Sequence, residues 1–282
     1  RYCIVYNGEI FNYLMLREQL ETVDEPFHTQ SDTEVILRLY SKYGTDMLPM
    51  LNGYFAFAIY DTLKKTCFIA RDRFGEKPVY YYEDENCLLF ASEIKALLKF
   101  PIAKEIDPLA LQEFLQLNYI AEPHSIYPSI KKLLPGHFIQ CSKEKTVLQS
   151  WYTIPVVAIH QSSIKDYAAQ QEKLFQLLDE AVQLRLASDV PLGSFLSGGL
   201  DSSIISGLAS KHLKHLPTFS LGFKDDHFFD ETKDAIAVAK HFNTEHTAFT
   251  LSRNDLQEAL FEVLDYLDEP FGDSSALPFY IL

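Results

Sequence analysis

The local pattern of the sequence changes near the middle of the chain, and this change limits the folds that are open to it. Before about residue 150, short apolar segments alternate with turn-like polar residues, which is typical of hairpin-linked strands in antiparallel sheets. From about Ile164, strand-length and helical segments alternate, which predicts a parallel sheet with right-handed crossovers. The length of 282 residues also favours two domains. We therefore expect an α+β domain over 1–155 and an α/β domain over 156–282.

Individual elements follow from apolar periodicity and from turn residues. Asn7-Gly8 predicts a turn after a strand at 2–6, followed by a helix at 13–20. Ser31 can cap the next helix, which Gly44 is placed to end. Further strands are predicted at 54–60, 66–70, 78–82, 87–91, 191–196, 218–223 and 246–251. Further helices are predicted at 174–187, 201–213, 230–241 and 255–267.

Charge and cysteine content exclude several classes of partner. The 39 acidic and 25 basic side chains give a formal charge of -14, which repels phosphate backbones and anionic membranes. The longest apolar stretch, near 53–60, is far shorter than a membrane-spanning helix requires. The cysteines at 3, 67, 87 and 141 form no C-x-x-C pair, which argues against zinc and against a disulfide framework. We expect a soluble, cytoplasmic protein with no nucleic acid and no membrane as partner.

The segment LSGGLDSS, from Leu196 to Ser203, lies between an apolar strand and an amphipathic helix. Its glycines allow the backbone to approach a ligand closely, while Ser197, Ser202 and the first helical N–H groups offer donors at the positive end of the helix dipole. This combination predicts a phosphate-binding turn, although it lacks the lysine and the spacing of the common P-loop. The alternative is an ordinary strand-to-helix turn in which Asp201 caps the helix.

This turn resembles the pyrophosphate-binding loop of ATP-pyrophosphatase enzymes, which adenylate a carboxyl or carbonyl oxygen. That superfamily is broad, so the loop alone does not specify the substrate. Five ordered motifs resemble a class II glutamine amidotransferase domain: NGEIFNY at 7–13, SDTE at 31–34, GYFAFAIYD at 53–61, ARDRFGEKP at 70–78 and FASEIKA at 90–96. With the loop, and with DEPFGDSSALP at 268–278, they resemble glutamine-hydrolysing asparagine synthetases.

The resemblance implies a fold, a reaction and two sets of binding residues. The fold is an N-terminal-nucleophile-type α+β glutaminase domain with antiparallel sheets, followed by an α/β ATP-pyrophosphatase domain. The reaction makes asparagine from aspartate, glutamine and ATP with Mg²⁺. The implied glutamine-binding residues are Asn7, Gly8, Glu9 and Asp32. The implied ATP-binding residues are Leu196, Ser197, Gly198, Gly199, Leu200, Asp201, Ser202 and Leu221.

The residue types suit these roles, although each has a simpler interpretation. The Asn7 amide can donate to an oxyanion, Gly8 has no Cβ to obstruct the substrate, and Asp32 can pair with a primary ammonium group. Taken alone, Asn7-Gly8 favours a turn, Asp32 favours a helix cap, and a strand leucine is usually a core residue. Other segments have only structural interpretations: 71–73 predicts a salt-bridged strand end, and 93–95 predicts a solvated helix start.

The sequence departs from the family at both ends. Class II amidotransferases use an N-terminal cysteine as the nucleophile, whereas this chain begins with Arg1, and the internal Cys3 has no free α-amine. The chain also stops at Leu282, before the segments that would handle aspartate. We therefore expect a fragment of a longer enzyme that contains no catalytic residue of its own, with undetermined metal ligands.

Two other functions remain open. The first is an amidotransferase of the same architecture that acts on a different carboxylate, such as a β-lactam-forming or polysaccharide-modifying enzyme. The second is a non-catalytic amidotransferase-like module. The expected partners are small-molecule substrates, and a homodimer is compatible with the resemblance.

Overall fold

The computed structural model describes residues 1–21, 26–156, 166–188, 190–225 and 230–281. The chain divides into two compact units. Unit 1 consists of Arg1–Val156 and Leu267–Asp273, and unit 2 consists of Val157–Tyr266 and Ser274–Leu282.

Unit 1 has the antiparallel α+β architecture that the hairpin pattern predicts. Its strands are β1 (Tyr2–Ile10), β2 (Gly53–Asp61), β3 (Thr66–Arg71), β4 (Tyr80–Glu83), β5 (Leu88–Ala91), β6 (Ile130–Lys132), β7 (His137–Cys141) and β8 (Thr146–Ser150). Its helices are α1 (Tyr13–Leu20), α2 (Asp32–Tyr43), a 3₁₀ helix (Gly44–Met50), α3 (Ile94–Leu97) and α4 (Pro108–Leu117). One sheet has the order β1-β2-β3-β7-β8 and the other has the order β5-β4-β6. Both sheets are antiparallel throughout.

The predicted turn at Asn7-Gly8 is wrong, because β1 continues through both residues to Ile10. Asn7 and Gly8 are paired with residues of β2, and the turn follows at 11–12. Gly8 has a φ of 150°, and a Cβ there would lie 2.2 Å from the carbonyl oxygen of Tyr54. Glycine is therefore required for the close approach of two strands, which a sequence pattern cannot distinguish from a tight turn.

The core of unit 1 fixes which face of β1 points inward. Phe55 and Phe68 are fully buried with Ile36 of α2, and they form one cluster with other apolar side chains of the first sheet. Tyr6 packs against this cluster from β1. Because side chains alternate along a strand, residues 4, 6, 8 and 10 share this face, and Asn7 belongs to the opposite face.

The segment Arg71–Arg73 only partly fits the predicted salt-bridged strand end. Arg71 forms the expected ion pair, with 2.7 Å between its guanidinium and the Glu122 carboxylate. Asp72 is instead 1% exposed and accepts hydrogen bonds from four backbone N–H groups, those of residues 55, 74, 76 and 77. Arg73 donates to the backbone carbonyl oxygens of residues 49 and 51. These bonds fix the loop that follows β3.

The late segment 267–273 is held in unit 1 by charged groups. The carboxylate of Asp268 accepts hydrogen bonds from the N–H groups of Ile94 and Lys95 at the start of α3. Glu269 forms an ion pair with Lys132. The predicted solvated helix start at 93–95 is therefore wrong in part, because its backbone is capped by a carboxylate from far along the chain.

Unit 2 has the alternating α/β architecture that the second half of the sequence predicts. Its strands are β9 (Ser194–Phe195), β10 (Pro217–Phe223) and β11 (Glu245–Leu251). Its helices are α5 (Tyr167–Leu184), α6 (Leu200–His212), α7 (Thr232–Phe242), α8 (Arg253–Tyr266) and α9 (Ala276–Ile281). The strands form a parallel sheet of order β11-β10-β9. β9 is shorter than the predicted strand, although the Leu196 N–H extends the pairing by a 2.7 Å bond to the carbonyl oxygen of Phe219.

Several features bear on membranes and metals. Within the described ranges, no helix combines the length and the apolar character needed to cross a membrane. The same residues contain no group of three or more His, Cys, Asp or Glu side chains suited to a metal ion. His246 lies on β11. Its Nδ1 is 3.0 Å from the Thr218 hydroxyl, and its Nε2 is 3.0 Å from the Ser220 hydroxyl.

Candidate functional site

Three of the four predicted glutamine-binding residues lie together on β1, and the fourth begins α2. Asn7, Gly8 and Glu9 are consecutive in the strand, and Asp32 is the first residue of the helix. Two hydrogen bonds join the Asp32 carboxylate to β1. Its Oδ2 accepts from the Tyr6 hydroxyl at 2.8 Å and from the Ile10 N–H at 3.1 Å.

The prediction that Asp32 caps a helix is wrong. The N-cap is Ser31, whose hydroxyl accepts a 3.1 Å hydrogen bond from the Thr33 N–H. Since Ser31 satisfies that helix end, the Asp32 carboxylate is directed to β1 instead. A partly buried carboxylate beside a strand edge is suited to binding a primary ammonium group.

Asn7 and Glu9 make separate contacts. The Glu9 carboxylate accepts a 3.1 Å hydrogen bond from the hydroxyl of Tyr54, its partner on β2. The Asn7 amide nitrogen lies 3.5 Å from the Ser92 hydroxyl, at the limit of a hydrogen bond. Asn7 and Ser92 help to line a cavity of about 230 Å³ on the face opposite the core cluster. The structure therefore brings Asp32 to β1, where it contacts Tyr6 and Ile10, and gives Asn7 and Glu9 other partners.

The loop before α2 is organised by Glu34. Its carboxylate accepts hydrogen bonds from the N–H groups of His28 and Thr29, from the Thr29 hydroxyl and from Arg38. Phe27 lies in the same loop, with the Arg38 guanidinium 4.0 Å from the centre of its ring. Burial opposes ionisation of Glu34, but the hydrogen bonds outweigh it and lower its pKa from 4.5 to about 2.

Replacing Glu34 by glutamine should destabilise unit 1 by about 1 kcal/mol at pH 7, because the loop loses charge-assisted hydrogen bonds at a partly solvated site. A carboxylate with a lowered pKa stabilises the fold above its unfolded pKa and loses this effect as the pH falls through its folded pKa. The difference between the parent protein and Glu34→Gln should therefore shrink between about pH 4.5 and pH 2. Chemical denaturation at a series of pH values measures it.

Glu105→Gln is the matched control for this prediction, because Glu105 is exposed in the same unit. It should leave stability unchanged across the same pH range. A constant difference between the parent protein and Glu34→Gln from pH 7 to pH 2 would contradict the role assigned to the Glu34 carboxylate.

The predicted phosphate-binding turn joins β9 to α6 in unit 2. Gly198 has a φ of 87°, and a Cβ there would lie 2.7 Å from the backbone nitrogen of Ala235 and from the Cβ of Asp234. The turn therefore packs directly on the first residues of α7, and only glycine fits. The hydroxyls of Ser197 and Ser202 lie 3.0 Å apart within the turn.

The first turn of α6 supplies the donors that a phosphate group requires. Gly199 is the N-cap and makes no side-chain capping bond. The first intrahelical bond runs from the Ser203 N–H to the Gly199 carbonyl oxygen at 3.0 Å. The N–H groups of residues 200–202 precede that bond and therefore have no intrahelical acceptor. Together with the helix dipole, they form an environment suited to an anion.

Asp201 does not cap the helix, because the N-cap is Gly199, so the capping role in the simpler interpretation is wrong. The residue is exposed in the first turn of α6. No hydrogen bond or ion pair joins its carboxylate to another residue in the part of the chain that the structure describes. A carboxylate beside a phosphate-binding turn can hold a divalent cation that offsets phosphate charge.

The three leucines in the predicted ATP-binding set lie in different environments. Leu196 is 1% exposed and packs with Ala235 and Ala239 of α7. Leu221 is half-buried in β10, whereas Leu200 is 76% exposed at the start of α6. Their contacts with a nucleotide stay predictions.

Sequence reasoning missed Tyr6 and Tyr54, whose hydroxyls bind the two carboxylates of the candidate glutamine site. Tyr54 is the cross-strand partner of Glu9 in the β1–β2 register. This pair could not be found from the sequence, because the predicted strand ended at a turn at residues 7–8. Local signals were present, since Tyr6 directly precedes the motif at 7–13 and Tyr54 lies within the motif at 53–61.

Two family models match the chain. The model described as a glutamine amidotransferase domain matches residues 1–152, and the model described as asparagine synthase matches residues 173–282. A Methanocaldococcus jannaschii protein, named provisionally as a glutamine-hydrolysing asparagine synthetase, is 38% identical over 98% of this chain and 53% of its own length. Asparagine synthetase (glutamine-hydrolysing) 1 of Bacillus subtilis is 34% identical over 100% of this chain and 44% of its own length. The chain thus spans about half the length of these relatives.

Among solved structures, the glutamine phosphoribosylpyrophosphate amidotransferase of B. subtilis, complexed with ADP and GMP, matches 88% of this chain and 45% of its own, with 17% identity and a TM-score of 0.39. A TM-score this low does not establish a shared overall arrangement. The assignment rests on the sequence matches, which cover the motifs of both units. The chain belongs to the glutamine amidotransferase family, and an asparagine synthase region follows its amidotransferase domain.

Proposed function

We propose that the protein makes asparagine from aspartate, with glutamine as the nitrogen donor and ATP as the source of energy. The observation that carries this proposal is the turn at Ser197–Ser202 of unit 2. The same chain has Glu9 in β1 of unit 1, with the Asp32 carboxylate bonded to that strand. Asparagine synthetases are also the named relatives across nearly the whole chain. The chain spans about half the length of those relatives.

The proposed chemistry has two parts. In the first, water hydrolyses the side-chain amide of glutamine to give glutamate and ammonia. In the second, the β-carboxylate of aspartate attacks the α-phosphorus of ATP, which releases pyrophosphate and forms β-aspartyl-AMP. Ammonia then attacks the acyl carbon, and AMP leaves as asparagine forms. Separate chemistry for ammonia release is useful because free ammonia is mostly protonated near neutral pH and is then not a nucleophile.

In unit 1, the proposed roles concern binding and charge. Asp32 and Glu9 bind the α-ammonium group of glutamine, and the Asn7 amide with the Gly8 N–H donates to the oxyanion that develops on the substrate amide. Support for these roles comes from the position of the carboxylates beside β1 and from the close backbone approach at Gly8.

In unit 2, the proposed roles concern the nucleotide. The N–H groups of residues 200–202 and the hydroxyls of Ser197 and Ser202 bind the pyrophosphate portion of ATP, with Leu221 beside the adenine. Mg²⁺ fits here because the Asp201 carboxylate has no other partner in the described chain, and the ion would offset phosphate charge.

We further propose a cytoplasmic protein that acts on small molecules, assembles as a homodimer and binds no nucleic acid.

The test is ATP–pyrophosphate exchange by the intact protein. Aspartate should stimulate exchange strongly, whereas glutamate and other carboxylic acids should leave it near background. Adding glutamine should then convert the activated aspartate to asparagine, with glutamate released in equal amount. If a different acid stimulates exchange instead, the protein activates another carboxylate and the proposal of aspartate as substrate is wrong. Absence of exchange with any acid would favour a non-catalytic module.

A further inference from the structure

The Asp32 carboxylate is held asymmetrically. Its Oδ2 accepts hydrogen bonds from the Tyr6 hydroxyl at 2.8 Å and from the Ile10 N–H at 3.1 Å. A carboxylate oxygen has two lone-pair positions, so these two donors satisfy Oδ2. The donors come from one strand, and they therefore fix both the position and the rotation of the carboxylate relative to β1.

The other oxygen, Oδ1, keeps capacity for a ligand. Its recorded neighbours are the hydroxyls of Ser31 at 3.4 Å and Thr33 at 3.5 Å, which are long for hydroxyl–carboxylate hydrogen bonds. Both hydroxyls can rotate away when a stronger donor arrives. An ammonium group provides three donors and a full positive charge, which makes it the better partner for this oxygen.

Tyr6 is suited to a fixed role because its ring packs against the core cluster of unit 1. Packing restricts the rotation of the side chain, so the hydroxyl is directed at Asp32 before any ligand binds. Burial, with the nearby charge of Asp32, raises the pKa of Tyr6 above its usual range. The hydroxyl therefore remains a proton donor at every physiological pH.

A second tyrosine repeats the arrangement on the neighbouring strand. The Tyr54 hydroxyl donates to the Glu9 carboxylate at 3.1 Å. Glu9 and Tyr54 also make smaller contributions that raise the pKa of Tyr6. In each pair, a hydroxyl donor stabilises a carboxylate without cancelling the negative charge that attracts an ammonium group.

We propose that Tyr6 is a positioning residue, which holds the Asp32 carboxylate so that Oδ1 binds the α-ammonium group of the amino-acid substrate. This inference rests on the proposed glutamine site and adds a source of specificity to it. The site selects substrates that carry a free α-amino group, and part of that selectivity depends on the Tyr6 hydroxyl.

The experiment compares Tyr6→Phe with the parent protein, using glutamine and glutaramate, which is glutamine without its α-amino group. In the intact protein, Tyr6→Phe should raise the KM for glutamine about ten-fold, as expected for one charge-assisted hydrogen bond. The kcat for glutamine should change by less than about two-fold, because the residue does not touch the reacting amide. Hydrolysis of glutaramate should be unchanged.

Tyr40→Phe is the matched control, since Tyr40 packs against the same core cluster and its ring stacks on Phe68. It should leave the kinetics with both substrates unchanged. If Tyr6→Phe impairs glutamine and glutaramate equally, the residue has a general structural role and the proposal is overturned.

A third variant separates this inference from the proposed function. Asp32→Asn should raise the KM for glutamine more than Tyr6→Phe does. If Asp32→Asn leaves that KM unchanged, the proposed glutamine site itself is wrong. If Asp32→Asn raises it and Tyr6→Phe does not, the glutamine site stands and the positioning role of Tyr6 is rejected.

Discussion

Replacing Gly198 by alanine should reduce ATP–pyrophosphate exchange by the intact protein at least about a hundred-fold, because small displacements of a binding group have effects of this size. The new Cβ would lie 2.7 Å from the backbone nitrogen of Ala235, so the turn must move away from α7. That movement changes the positions of the N–H groups at the start of α6, which we propose bind the phosphates. Glutamine hydrolysis should be retained, because its proposed residues belong to unit 1.

Gly44→Ala provides the control for this variant. Gly44 also has a positive φ, of 59°, but a Cβ there would meet nothing within 4 Å. Both substitutions therefore place an alanine at a positive φ, and only Gly198→Ala adds a steric conflict with another element. Gly44→Ala should exchange pyrophosphate at the parent rate. Near-normal exchange by folded Gly198→Ala would show that the turn does not bind the phosphates.

Replacing Gly8 by alanine should have an effect of similar size on the other activity. The added Cβ would lie 2.2 Å from the carbonyl oxygen of Tyr54 and 2.7 Å from the Cα of Phe55, so β1 and β2 must separate at this point. The neighbouring residues Asn7 and Glu9 would move with the strand. Glutamine hydrolysis should fall at least about a hundred-fold, and the thermal midpoint of unit 1 should decrease.

ATP–pyrophosphate exchange is the internal reference for Gly8→Ala, and circular dichroism reports whether the variant is folded. Gly44→Ala again controls for glycine replacement in unit 1, and it should hydrolyse glutamine normally. Folded Gly8→Ala with unchanged glutamine hydrolysis would contradict the placement of the amide-binding site along β1. Should the variant fail to fold, Asn7→Ala gives the alternative test, since it removes the proposed oxyanion donor without a steric conflict.

Local patterns were sufficient for the architecture of both units. Short apolar segments separated by turn-like polar residues predicted the antiparallel strands of unit 1, and strand–helix alternation predicted the parallel sheet of unit 2. The helix with Ser31 as its N-cap and Gly44 at its end also agrees with the structure, because capping depends on nearby residues. For α4, the signal was present but unused: Asp107 accepts from the Leu109 N–H, and proline follows at the first helical position.

Contacts between distant residues were not predictable in this way. The Asp32 carboxylate was interpreted as a cap because its strand partners, Tyr6 and Ile10, are more than 20 residues away. Asp268 reaches the start of α3 across 174 residues. Such contacts depend on how elements pack, and periodicity within a short window contains no information about packing. The turn motif at 197–202 was recognisable because all its groups are close in sequence.

Hydrogen exchange of the intact protein, measured with and without Mg–ATP, tests directly whether the Ser197–Ser203 turn binds the phosphates of a nucleotide. We predict that Mg–ATP and pyrophosphate both slow amide exchange in residues 197–203, whereas adenosine does not, because the donors there bind phosphate oxygens. The account would be contradicted if saturating Mg–ATP slowed amide exchange only elsewhere in the chain and left this turn unaffected.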